Sequence, residues 1–228
     1  MSKNVPMLKD GKIYRFTPTA RFTHWLYVGS YAVLFLTGLL LFADTFDFLA
    51  PLFGGYEGAQ LIHRIFAVVF LLPAVIFVLF DPKSFFGWLK DCFTWTMDDI
   101  KFFPAFAMEL FGMHPKCPPQ GFINAGEKVN SLLTITFTTL IVISGFVMWF
   151  PESFSTAVVQ WSYVIHSGAM ALLSAVAIVH IYLGTFNPGS KAALPGMING
   201  YVDAEFAKGH HEKWYNEVVA AEKKKKSS

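Results

Sequence analysis

Charge is scarce in this sequence. Asp, Glu, Lys and Arg make up 15% of the 228 residues, against 54% hydrophobic and 17% aromatic. Ordinary soluble domains carry about 25% charged residues, so this balance excludes one and points to a membrane protein. Cysteine is nearly absent. Cys92 and Cys117 are the only two, and no CxxC or CxxCH spacing exists to bind an iron–sulfur cluster or a covalent c-type haem. Both are expected to be reduced thiols. The first twenty residues hold no apolar run, so no cleaved signal peptide is expected. No nucleophile–base motif or phosphate loop is present, which removes hydrolysis and group transfer. The net charge of +2 carries no information by itself, and no nucleic-acid partner is expected.

What is abundant is long apolar runs. Four of them reach the roughly 20 residues needed to cross a bilayer. They cover about Phe22–Phe42, Gln60–Phe80, Val129–Phe150 and Tyr163–Thr185, the last stopped by Asn187, Pro188 and Gly189. Pro73, inside the second run, kinks a spanning helix without ending it. The expected fold is an all-α membrane protein, a four-transmembrane-helix bundle spanning 22–185. A polar segment (1–21) precedes it and a polar tail (186–228) follows. The 81–128 connection is too long for a turn. Its start alternates aromatic patches with charges, as an amphipathic helix at the membrane interface does.

Basic residues fix the orientation. Of the 18 Lys and Arg, 17 lie before the first run, in 81–128, or after the fourth run. Only Arg64 lies on the other side, whose two loops carry Asp44, Asp47, Glu57 and Glu152. The positive-inside rule then places both termini, the 81–128 loop and the tail in the cytoplasm. The terminal lysines are read as a solvated tail or as headgroup contacts.

Ionisable groups inside spans are costly and mark function. The spans contain no Asp or Glu but do contain four histidines, His24, His63, His166 and His180. With the orientation above, His24 and His180 lie at the cytoplasmic level and His63 and His166 at the outer level. In the fourth span His166 and His180 are about 21 Å apart along the axis and about 40° apart around it. Both can face one interior. Two level pairs of imidazoles are what two six-coordinate b-type haems require, one histidine on each face of each iron. Bis-histidine ligation leaves no open iron position and favours electron transfer.

Other residues are assigned around this ladder. Gly38, Gly145, Gly168 and Gly184 remove side chains where a macrocycle could approach. Gly168 and Gly184, beside ligand candidates, are the stronger choices for haem packing, and small-residue helix packing is the alternative. Arg64 is read either as a haem-propionate partner or as a side chain snorkelling to the interface. Thr23 and Ser167 are candidates to support the imidazoles. His114, His210 and His211 lie in the loop and tail and are expected at solvated or partner-facing surface.

Four stretches carry a family resemblance: RFTPTARFTHW opening the first span, NAGEK before the third, IHSGAMALLSAVAIVHIYLGTF in the fourth, and the tail GMINGYVDAEFAKGHHEKWYNEV. At these residues, and over nearly its whole length, the chain resembles the cytochrome b (gamma) subunit of respiratory formate dehydrogenases. That family is related to the cytochrome b subunits of nickel–iron hydrogenases and thiosulfate reductases. The resemblance implies a four-helix bundle in the bacterial inner membrane, with two haem b groups on His24/His180 and His63/His166. It implies an outer iron–sulfur (beta) subunit as electron donor. Through it, the partner is a molybdenum or tungsten formate-oxidising (alpha) subunit, in a complex that can assemble further. Electrons would cross from outer to inner haem and reduce a quinone, menaquinone or ubiquinone, near the cytoplasmic face. The asparagine of the family's NAG(Q/E)K stretch lines that quinone pocket beside the inner ligand, which here means Asn124 and His180. Glu127 and Lys128 are read as aids to proton entry. In the other reading Asn124 caps the third span and Glu127 sits in its first turn. The sequence departs from the family at Glu127, where Gln is common, at Arg64, where Pro is frequent, and in a longer 81–128 loop.

Three other functions compete. One is the same role in a hydrogenase or related molybdoenzyme complex. A second is a haem-free anchor, which needs no level histidine pairs. The third is a proton-coupled transporter, which would pair its histidines with buried carboxylates that these spans lack.

Overall fold

The computed structural model describes residues 8–110, 113 and 115–227. Its elements run β1 (Leu8–Lys9), β2 (Lys12–Tyr14), α1 (Pro18–Phe42), a 3-10 turn (Asp44–Leu49), α2 (Ala50–Phe53) and α3 (Gly55–Phe80). They continue with α4 (Pro82–Phe93), α5 (Met97–Leu110), α6 (Ala125–Trp149), α7 (Thr156–Ile181), α8 (Leu194–Asn199), β3 (Tyr201–Asp203), α9 (Ala204–His210) and α10 (Glu212–Lys226). Among the described residues, four helices are long and apolar enough to cross a membrane: α1, α3, α6, and α7 with its extension to Phe186. Each overlaps one of the apolar runs.

The chain divides into two compact units, one made of Phe22–Phe80 and Ile135–Ala175. Its burial pattern is that of a lipid-solvated bundle. Large apolar side chains such as Leu61, Leu79, Phe80 and Trp161 are exposed, each by more than 60%. The buried positions of α1 are instead Thr23, Ser30, Thr37 and Leu40. In lipid no hydrophobic force sorts side chains, so small and hydroxyl residues occupy helix contacts. Ser30 and Thr37 donate to the carbonyls of Leu26 and Val33, each at 2.8 Å, so neither hydroxyl is stranded. Tyr27 and Tyr31 bond Thr138 and Ser174 at 2.7 and 2.6 Å. The 3-10 turn and α2 pack Leu49 against Leu40 and Ala59. There Gly58 is obligatory, because a Cβ would fall 1.9 Å from the Phe53 carbonyl oxygen.

The other unit comprises the described part of Met1–Arg21, with Asp81–Thr134 and Val176–Ser228. Asp10 and Gly11 both take positive φ (51° and 73°), the two-residue turn that joins β1 to β2. β3 then adds antiparallel, pairing Ile13 with Val202 and Tyr14 with Tyr201. The chain is therefore not purely helical. The fully buried pair Ile13 and Val202 forms a core with Ala207, Trp214 and Val218. The amphipathic stretch forms two helices rather than one. Asp81 caps α4, accepting from the Ser84 N–H at 3.2 Å and from the Thr17 hydroxyl at 2.6 Å. α7 ends in a π-helical turn at Tyr182–Phe186, closed by the Asn187 N–H on the Tyr182 carbonyl at 3.0 Å.

Candidate functional site

In the unit of Phe22–Phe80 and Ile135–Ala175, the structure brings together His63 of α3 and His166 of α7. Their ring centres are 6.3 Å apart and their planes cross at 60°. Each ring is held by the helix beside it. Thr37 Oγ1 lies 2.8 Å from His63 Nδ1. Ser144 Oγ and the Ile141 carbonyl each lie 3.1 Å from His166 Nδ1. A carbonyl can only accept, so His166 Nδ1 carries the proton. The Thr37 and Ser144 hydroxyls spend their own protons on the carbonyls of Val33 and Leu140, at 2.8 and 2.6 Å. Each hydroxyl therefore accepts from its imidazole, and both rings are the Nδ1–H tautomer. Nε2 is left as the nitrogen available to a metal.

The glycines divide by what stands beside them. A Cβ at Gly145 would sit 3.2 Å from His166 Cε1, and one at Gly38 would sit 3.5 Å from His63 Cε1. These two, not Gly168 and Gly184, lie against the imidazoles. A Cβ on Gly168 or Gly184 would meet nothing within 4 Å. Arg64 is exposed, its guanidinium 5.7 Å from the centre of the Trp149 ring. His24 sits half-buried in the second turn of α1.

In the other unit, His180 sits in the last turn of α7. Asn124 and Glu127 form a reciprocal cap at the start of α6. Asn124 Oδ1 accepts from the Glu127 N–H and Glu127 Oε2 accepts from the Asn124 N–H, both at 2.9 Å. The cap uses Asn124 Oδ1 and leaves its Nδ2 amide as a donor. The Glu127 charge also reaches His180 electrostatically. Lys128 is buried and committed elsewhere, donating to Asp99 Oδ1 at 2.6 Å and to the Thr94 carbonyl at 2.9 Å. Burial raises the Asp99 pKa, but the Lys128 and Thr96 bonds outweigh it and hold the carboxyl below its usual value.

Two features escaped the sequence reading. Arg15 is buried, donating from Nη2 to the Phe122 carbonyl at 2.8 Å and to Glu127 at 3.1 Å. Its guanidinium lies 4.8–5.7 Å from the ring centres of Phe16, Phe122 and Trp214. His211, expected at a surface, is fully buried. Its Nδ1–H donates to the Gly121 carbonyl at 2.9 Å, and Trp214 and Phe206 flank its ring. The tail folds back onto β2 and the segment before α6, so a locally polar sequence acquires a core. His210 stacks on Phe206 at 4.6 Å. His114 lies outside the described residues. Cys92 is buried, and the Cys117 thiol donates to the Pro118 carbonyl at 3.6 Å.

Burial pushes the His211 pKa down to about 4, with Arg15 and His210 adding to the shift and Glu127 and the Gly121 bond opposing it. An unfolded histidine titrates near 6.5. The stability His211 contributes is thus complete above about pH 6.5. It falls as the pH drops through that window and is lost near pH 4, a change of about 3 kcal/mol. Limited proteolysis should find the tail increasingly cleavable over that range. A His211→Gln chain should lose the acid-dependent component.

A family model described as prokaryotic cytochrome b561 matches residues 15–200. The cytochrome b556(Fdn) subunit of the nitrate-inducible formate dehydrogenase of Escherichia coli K12 is 28% identical over 225 residues, covering 97% of this chain and 98% of that protein. The formate dehydrogenase cytochrome b556(fdo) subunit of the same organism is 28% identical over 222 residues (96% and 99%). A formate dehydrogenase cytochrome b556 subunit of Haemophilus influenzae is 28% identical over 223 residues, covering 96% of this chain and 88% of that protein.

Proposed function

The chain belongs to the prokaryotic cytochrome b561 family, and from that premise we propose that it is the dihaem, quinone-reducing membrane subunit of a formate dehydrogenase complex. The observation that carries the reading is the His63–His166 pair. Two metal–nitrogen bonds of about 2 Å, plus about 1 Å from each nitrogen to its ring centre, span about 6 Å. The ring centres stand 6.3 Å apart. The residues fit a bis-imidazole haem iron: both Nδ1 atoms are engaged, and Gly38 and Gly145 make room for the rings. When bound, the haems supply one-electron transfer. His63 and His166 would hold the outer one, and His24 and His180 the inner one. Gly168 and Gly184, beside which a Cβ would meet nothing within 4 Å, would leave space for the macrocycles, and Arg64 would meet a propionate. The inner pairing rests on sequence height.

The relatives' names support formate as the electron source and other formate dehydrogenase subunits as partners; an iron–sulfur subunit would dock on the outer side. Asn124 would donate from Nδ2 to a quinone oxygen, since its Oδ1 is held by the cap. Glu127, one-third exposed and within electrostatic reach of His180, is the group to pass a proton. Lys128 would contribute by fixing the loop that walls the site. Termini in the cytoplasm of an inner-membrane protein would make protons enter from the side opposite the electron donor. Each charge so moved is worth about 2.3 kcal/mol per 100 mV of membrane potential.

One experiment on the purified complex tests this. The reduced-minus-oxidised spectrum should show two b-type haems per chain. Asn124→Ser, which keeps a capping oxygen but loses the amide donor, should keep both haems and lose at least about tenfold in quinol formation. Absence of b-type bands would end the reading. Unchanged quinol formation would remove Asn124 from the pocket.

A further inference from the structure

The supports of the two outer imidazoles are built twice on one pattern, a hydroxyl residue followed by glycine. Thr37–Gly38 of α1 receives His63, and Ser144–Gly145 of α6 receives His166. In each, the hydroxyl donates to the carbonyl four residues earlier and stands within hydrogen-bond reach of the imidazole Nδ1, at 2.8 and 3.1 Å. In each, the following glycine is the residue whose Cβ would touch the ring's Cε1, at 3.5 and 3.2 Å. Hydroxyl and glycine are neighbours, so the same helix turn fixes the ring's proton and gives the ring its space. The two clamps come from different helices and act on opposite ligands.

We propose that Thr37 and Ser144 are positioning residues that set the reduction potential of the outer haem by accepting the Nδ1 protons of His63 and His166, the latter shared with the Ile141 carbonyl at 3.1 Å. This inference rests on the ligand assignment above. A hydroxyl anchored to the helix draws the Nδ1 proton toward itself and makes Nε2 the stronger electron donor. A more basic ligand pair stabilises oxidised iron over reduced iron and so lowers the potential. Two such bonds act on one iron, and they keep the site nearest the electron donor lower in potential than it would otherwise be. Onward transfer is thereby favoured over retention of the electron.

The test is a redox titration of the intact complex, monitored at the b-haem absorption bands. Thr37→Val and Ser144→Ala should each raise one haem potential, leave the other in place, and retain both haems in six-coordinate form. A roughly tenfold loss of preference for oxidised over reduced iron would read as a rise of about 59 mV for a one-electron couple. The double variant should move furthest. Thr37→Ser, which keeps the hydroxyl, should hold the wild-type potential. Gly145→Ala, which keeps both hydroxyls but crowds His166, should alter the electron paramagnetic resonance signature of that same haem. If Thr37→Val does not assemble, Ser144→Ala and Thr37→Ser carry the comparison. Unmoved potentials with full haem content overturn the inference and leave the ligands standing. A His63→Ala complex that keeps both haem signals overturns the ligand assignment beneath it.

Discussion

His63→Ala and His166→Ala should each reduce the haem content from two per chain to one and cut electron transfer to quinone by about a hundredfold or more. On the proposed ligation both imidazoles would hold one iron, so losing either would leave it without a matched partner. The haem proposed on His24 and His180 should keep its spectrum, because sequence height assigns those histidines to the other level of the membrane. His211→Ala should retain both haems. That histidine is as buried as any in the chain, but it belongs to the core of the tail. Haem-to-protein ratio and the reduced-minus-oxidised spectrum read all three variants. Two haems in both ligand variants would falsify the assignment.

The second large effect is expected at Lys128. Its ammonium and the Asp99 carboxylate are both more than nine-tenths buried and 2.6 Å apart. Trp95 packs over the charge at 5.7 Å. Removing one member of such a pair strands the other and costs about 3–5 kcal/mol, whereas replacing both by apolar groups is nearly neutral. Lys128→Met should therefore lower the thermal midpoint of the detergent-solubilised protein sharply and open the loop before α6 to proteases. Lys128→Met with Asp99→Leu should regain most of the loss. If the single variant is as stable as the parent, the pair does not fasten this loop. If the double variant also restores quinol formation, Lys128 acts through the loop and not by passing a proton.

The asymmetry between these two sites explains what could be read early. Membrane solvation acts on each segment separately, so hydropathy and the 17-to-1 division of basic residues are local signals. They carried the four spans, the expected orientation and the levels of the four histidines. The reciprocal Asn124–Glu127 cap was also within reach, since its residues are three apart. The Asp10–Gly11 turn was equally local, and a hairpin could have been inferred from it.

Choosing Thr37 and Ser144 over Thr23 and Ser167 was different. Thr23, Ser30 and Thr37 recur every seven residues on one stripe of α1, so periodicity alone cannot select among them. Depth can: Thr37 lies five residues before the α1 end at Phe42, and His63 lies eight residues after the α3 start at Gly55. The sequence by itself determined four candidate spans and placed four histidines within them, because partition into lipid is decided residue by residue. Only the tertiary structure decided which hydroxyl holds which imidazole, which tautomer results, and that β3 joins a hairpin some 190 residues earlier to bury His211. Those outcomes depend on helix rotation and on closing a long loop, and neither leaves a mark in local sequence.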